Sequence, residues 1–208
     1  MSDGSNSAWL MLTARGALHA FSMRQPDGPM QALQALLAGP SAPTRQEWLA
    51  RNPQAADLLD PGIARGWIQP LVRPLLGPDT RLDDFVQHVI ASLSGERRAV
   101  LASDTGFCLG RAGVTQDEAD SVSAAAADLS EFASRQARRG WAGAGSYASF
   151  STDPLLLMPD TSFVPLWVDG TGYVLVIYGE PLLNNPALVE LIWGIREAAT
   201  RFQVPDSR

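Results

Sequence analysis

The sequence predicts an α/β protein: a five-stranded, mainly antiparallel sheet with packed helices, preceded by a small, mostly helical module. Three observations carry this expectation. Beyond Arg97, apolar β-type segments are separated by the tight-turn sequences Asp104-Thr-Gly106 and Asp169-Gly-Thr-Gly172. Between those turns lies an Ala-rich stretch, 115–139, with apolar residues at helical spacing. Before residue 81, prolines instead cut the chain into short pieces. The expected division is therefore a small helical or winged-helix-like module over 1–80 and an α/β domain over 81–208.

Within the first 80 residues, Trp9 to Phe21 reads either as a hairpin turning at Arg15-Gly16 or as a helix interrupted there. Pro29 to Leu37 is a helix, with proline in its first turn and a Gly39-Pro40 stop. Thr44-Arg-Gln-Glu47 is a capping box, in which hydroxyl and carboxylate each satisfy an orphan backbone donor. Helix restarts are expected at Asn52-Pro53 and Asp60-Pro61. Trp67 to Pro74 is extended, because each proline drives its predecessor out of the helical region. The linker is placed at Leu76-Gly-Pro-Asp-Thr80.

The second part opens with a helix from Leu82 to Leu93, apolar at Phe85, Val86, Val89, Ile90 and Leu93, with Asp83 and Asp84 suiting its N-terminal dipole. Strands at 97–103 and 107–110 follow, joined by the Asp104 turn. The central helix begins with a second capping box, Thr115-Gln-Asp-Glu118, and carries a stripe of Ala119, Val122, Ala126, Leu129 and Ala133. Strands are expected at 146–151, 163–168 and 173–178. Asn185-Pro186 caps a last helix with Leu188, Leu191, Ile192, Ile195, Ala199 and Phe202 on its apolar side.

Composition narrows the function. At 46% hydrophobic residues, 208 residues can build a sizeable core. All sixteen basic residues are Arg, and the net charge is −6. Residues 1–80 hold six Arg against six acids, and residues 81–208 ten against sixteen. Neither part has the basic footprint of a nucleic-acid binder. The single Cys108 excludes an internal disulfide framework and fits a reducing compartment. Nothing at the N-terminus reads as a signal peptide, and no run reaches the roughly 18 apolar residues of a membrane span. The expectation is a soluble, cytoplasmic protein.

Residues able to do chemistry are sparse. Asp104-Thr-Gly106 matches the aspartic-protease triplet, but that chemistry needs two facing carboxylates, and Asp-Thr-Gly is also ordinary turn sequence. His19 and His88 lack nearby histidine or cysteine partners, so no metal or other cofactor is expected; His88 lies four residues after Asp84, within helical reach. Cys108, inside a strand, reads as core rather than nucleophile. The glycines of Gly140-Trp-Ala-Gly-Ala-Gly145 follow a helix rather than a strand, which is wrong for a dinucleotide loop. Features suited to binding are clearer. Arg135, Arg138, Arg139 and Trp141 form an Arg/aromatic cluster of the kind found at interface hot spots, against the alternative of simple helix-end capping. The apolar run Leu155-Leu156-Leu157-Met158 is either a further core strand or cover for a partner surface. Trp167 and Trp193 are assigned to the core, Trp48 and Trp67 to the N-terminal module.

The order helix, two strands, helix, three strands, helix over residues 82 to about 203 resembles the roadblock/dynein light chain family. The residues carrying the resemblance are Val100-Leu-Ala-Ser-Asp-Thr-Gly-Phe-Cys-Leu109, the helix 115–139, the strand Tyr173–Tyr178 and the last helix. Two features depart from that pattern: the long apolar loop Asp153–Ser162 and the first 80 residues. The resemblance implies a non-enzymatic homodimer that pairs central helices and edge strands and binds a small Ras-like GTPase or another protein as scaffold or regulator. Arg135, Arg138, Arg139, Trp141, Leu156 and Met158 are the expected partner-binding residues. The alternatives are a transcription-linked nucleic-acid-binding regulator acting through residues 1–80, a dimeric hydrolase around Asp104, and a subunit of a secretion or motility assembly.

Overall fold

A computed structural model describes residues 8–78, 82–141, 147–153, 155 and 158–202, with 82–85 and 199–202 described by backbone alone. The chain begins with strand β1 (Trp9–Leu12) and helix α1 (Ala14–Ala20), a pairing that neither reading of Trp9–Phe21 anticipated. Thr13 makes the join: its Oγ1 accepts from the Gly16 N–H and donates to the Gly66 carbonyl. Gly16 does not break the helix. It lets α1 approach the Trp67 carbonyl, which would lie 2.1 Å from an added Cβ.

Helix α2 (Gly28–Gln34) is capped by the Asp27 carboxylate and ends in a 3-10 turn over Ala35–Leu37. Helix α3 (Arg45–Arg51) has the complete expected capping box at Thr44 and Glu47. After a 3-10 segment at Pro53–Leu58 comes α4 (Leu59–Ala64), then strand β2 (Ile68–Leu71), which returns antiparallel to β1.

Helix α5 (Leu82–Ala91) leads into the main sheet, formed by β3 (Ala99–Ser103), β4 (Cys108–Ala112), β5 (Ala148–Phe150), β6 (Thr161–Val168) and β7 (Thr171–Tyr178). Helix α6 (Gln116–Arg138) lies between β4 and β5, and α7 (Pro186–Phe202) closes the chain. The strand order is β4-β3-β7-β6-β5, antiparallel throughout. This is the α/β class and element order expected from the sequence. The β6–β7 connection is a two-residue turn with Asp169 and Gly170 at φ 49° and 81°, the double positive φ of a type I′ hairpin.

Strand alternation sorts side chains onto two faces. Ala99, Leu101, Val164, Leu166, Leu175 and Ile177 join α5 and α7 in the larger core. Val100, Ala102, Phe163, Val174 and Val176 face α6 in a smaller one. The larger core is continuous with residues 8–78: Leu10, Phe21, Leu33, Leu36 and Trp48 belong to the same cluster as Leu188, Ile192 and Trp193. Polar ties reinforce this seam. The Trp193 indole donates to the Gly39 carbonyl at 2.8 Å. Arg196 donates to the Gln34 carbonyl and pairs with Asp169 at 2.9 Å. Trp48 is buried as expected, and Trp67 stacks on His19 with ring centroids 4.1 Å apart.

Candidate functional site

The α6 side of the sheet is only partly covered, and this defines the candidate protein-binding face. Ala119, Ser123 and Ala126 are buried, because small side chains let the first half of α6 lie close against β3 and β4. The Thr115 hydroxyl accepts from the Glu118 N–H, but the expected capping box is half-formed. The Glu118 carboxylate is drawn instead to Arg98 at 2.6 Å, and the Arg98 guanidinium also lies over the Tyr178 ring. That cluster fixes the helix start over β3 and β7. Burial, then the neighbouring Glu118, raises the Tyr178 phenol pKa above its ordinary range, while Arg98 opposes the rise.

Past Ala126, the helix overhangs a groove of about 240 Å³ between itself and β5–β6, lined by Leu129, Phe132, Trp141, Tyr147, Phe163 and Pro165 among others. Aromatic side chains crowd its rim: Phe132 is 40% exposed, Tyr147 47% and Trp141 58%, with Phe150, 54% exposed, beside it. Phe132 meets Trp141 edge-to-face at 6.4 Å, and Phe150 meets Phe163 at 5.8 Å. The Tyr147 hydroxyl donates to the buried Ser162 Oγ, orienting its ring along the groove.

The strand edges differ in how they are closed. β2 carries Pro70, which has no N–H to offer. β4 has a bulge beside Leu109, and its Arg111 folds back onto the Val114 carbonyl and Gln116. Where β6 runs past the end of β5, Pro165 lacks a donor and the Trp167 N–H is taken by the Phe21 carbonyl at 2.8 Å. β5, with the sequence Ala148-Ser149-Phe150, has no proline, charge or bulge. Among the described residues no strand pairs with the outer side of β5, so this edge and the apolar groove are neighbours.

The expected site residues divide around this face. Trp141 lines the groove. Arg135 is exposed and pairs with Glu131 one turn back, while Arg138 and Arg139 are exposed without an ion pair among the described residues. Met158 is exposed, and Leu156 lies outside the described residues. Of the two readings of Leu155–Met158, core strand or partner cover, the described residues go against the core strand: Leu155 and Met158 are exposed between β5 and β6. Asp153 accepts the Leu155 N–H there, and the Asp160 N–H donates to the Phe150 carbonyl across the loop base. Trp167 is also half-exposed rather than core. It points to the α6 side where α6 does not reach, and Arg24 covers its ring at 5.5 Å. Phe132, Tyr147 and the β5 edge were missed by the sequence reading. The available signals were an isolated aromatic on the polar side of α6 and a strand without gatekeeper residues.

Asp104 serves the turn as expected, its N–H donating to the Gly172 carbonyl. Cys108 is half-buried beneath α6, and His88 is exposed on α5. The Asp84 side chain, its suggested neighbour, lies outside the described residues. Among the described residues no His, Cys, Asp and Glu side chains gather as a metal site. No described helix is long and apolar enough to cross a membrane.

No family model matches the sequence, and no curated protein matches it. Among solved structures, the chain is similar to a Roadblock/LC7 domain from Streptomyces avermitilis, at 19% identity, over 50% of this chain and 84% of that one, with a TM-score of 0.36. It is also similar to Myxococcus xanthus MglB, at 14% identity, over 64% of this chain and all of that one, with a TM-score of 0.38.

Proposed function

We propose that the protein is a non-enzymatic, cytoplasmic scaffold or regulator. It forms a homodimer through α6 and β5 and presents the assembled surface to a small Ras-like GTPase or another protein. The observation that carries this reading is the coincidence of the outermost strand β5, unpaired on its outer side among the described residues, with the aromatic groove beside it. An open strand edge supplies unpaired backbone groups, and an apolar groove supplies the desolvation energy that hydrogen bonds alone do not. Arg138, Arg139 and Trp141 at the groove end, with Met158 on the β5–β6 loop, extend the surface with residue types favoured in interfaces; the Leu156 assignment, outside the described residues, rests on the sequence alone.

Light scattering coupled to size exclusion tests the dimer. The native chain elutes as a dimer, and Phe132→Asp, which puts a charge on the groove rim, shifts it to monomer while leaving the circular dichroism spectrum intact. A monomeric native chain removes the reading. The GTPase arm is tested by affinity capture with and without a non-hydrolysable GTP analogue, followed by reconstitution with the captured GTPase. Binding that ignores the nucleotide discards the GTPase and retains the scaffold.

A further inference from the structure

A cavity of about 670 Å³ lies on the seam between residues 8–78 and α7, and among the described residues it shares no lining with the α6 groove. Its floor is the β1–β2 ladder, where Met11 pairs with Gln69. One wall is residues 75–78, held by two backbone bonds of 2.8 Å: the Ala42 N–H donates to the Leu75 carbonyl, and the Gly77 N–H to the Pro40 carbonyl. The other wall is the first half of α7, where Pro186, Val189, Glu190 and Trp193 share one face at helical spacing. Trp193 is fixed in turn by its bond to the Gly39 carbonyl. Three separately anchored pieces thus frame the cavity.

Two kinds of unengaged group line it. Leu75 and Leu76 stay exposed, at 48% and 75%, so apolar contact is left for an occupant. The Thr13 hydroxyl is committed to Gly16 and Gly66, but the exposed side chains of Gln69, Asn184 and Glu190 make no hydrogen bond or ion pair among the described residues. Glu190 is the one charged residue in the described lining. We infer that this cavity binds a small organic cation, an amine or guanidinium carried on an apolar body. Its volume falls within the roughly 300–1,000 Å³ of ligand pockets, which favour apolar walls, a few polar groups and boundaries between structural units. The Glu190 carboxylate complements a cation and repels an anion. The Gln69 and Asn184 amide oxygens can accept the cation's remaining N–H groups, while Leu75 and Leu76 take the apolar body. Because the walls come from both sides of the seam, a bound molecule clamps residues 8–78 to α7 and stabilises that contact by mass action.

Three probes with one apolar body and different heads test this: phenylbutylamine, phenylbutanol and phenylbutyrate. Each is titrated into the full chain and followed by backbone amide and indole chemical shifts. The amine is expected to bind about three- to fivefold more tightly than the alcohol, and the carboxylate to bind most weakly. The shifts should concentrate at residues 75–77, at Val189 and Glu190, and at the Trp193 indole. Glu190→Gln should bring the amine to the level of the alcohol without changing the alcohol, and Leu76→Ser should weaken all three probes. Both side chains are exposed, so both variants should fold as the native chain does. Failure of all three probes to bind, or shifts that gather elsewhere, overturns the site. A carboxylate that binds as well as the amine, or an amine preference that survives Glu190→Gln, overturns the ligand class.

Discussion

Replacing Trp193 with Phe tests whether the seam between residues 8–78 and helix α7 is structural rather than incidental. The side chain is 1% exposed, its indole N–H donates to the Gly39 carbonyl at 2.8 Å, and its ring lies against Gly77. Phenylalanine keeps most of the apolar contact but has no donor. Gly39 is half-buried, so leaving its carbonyl unpaired costs about 1 kcal/mol, the low end of the usual range. The smaller ring leaves a void beside Gly77, adding about 1–2 kcal/mol. The expected loss is therefore about 2–3 kcal/mol, or a fall of roughly 4–12 °C in melting temperature for a chain of this length. Urea unfolding followed by circular dichroism reads the loss. Native-state hydrogen exchange then asks whether amides in α2 and α7 lose protection by the same amount, as they must if one core spans both. A loss below about 0.5 kcal/mol, within the range of neutral surface changes, or protection that falls in α7 alone, would refute the reasoning.

Two further outcomes follow from buried polar groups. Ser123 Oγ on α6 is fully buried and has no hydrogen-bond partner among the described residues, so Ser123→Ala removes an unmatched hydroxyl and is expected to be neutral or stabilising by up to about 1 kcal/mol in urea titrations; a clear loss of stability would mean the hydroxyl has a partner. Burial, opposed by Asp27 and aided by Arg65, holds the His19 imidazole below its ordinary 6.5, so the unfolded chain takes up the proton more readily. Its contribution to stability is complete above pH 6.5 and is lost as the pH falls below that value; His19→Gln should flatten stability against pH in that interval, and an unchanged slope would contradict it.

The parts of the fold set by local chemistry were legible in the sequence. The Asp104 and Asp169-Gly170 turns, the Thr44 capping box, the helix α6 and the strand ending at Tyr178 all formed where their residue types placed them. Errors arose where a distant residue changed the local outcome. Gly16 suggested a break, but its missing side chain makes room for the Trp67 carbonyl, some fifty positions away. Glu118 had the spacing of a cap, but Arg98 offered a charged partner. Leu155 and Met158 looked like core because composition cannot show that Asp160 ties their loop to the end of β5 while Asp153 turns it locally on Leu155. The open edge was illegible for the same reason. That β5 lies outermost, and that β6 beyond it is closed by Pro165 and Phe21, follows from strand order rather than from any run of residues.

The continuous core also sets an order of events during synthesis. Residues 8–78 leave the ribosome before α7, but Gly39 and Gln34 bond to Trp193 and Arg196 on that helix. The sheet is under a similar constraint, because β3 must find β7, pairing Ala99 with Ile177. The β3–β4 and β6–β7 hairpins can close within microseconds of emerging, whereas the non-local pairing waits for most of the chain. Until α7 is made, the side of residues 8–78 that packs against it stays uncovered, the kind of transient apolar surface that chaperones hold.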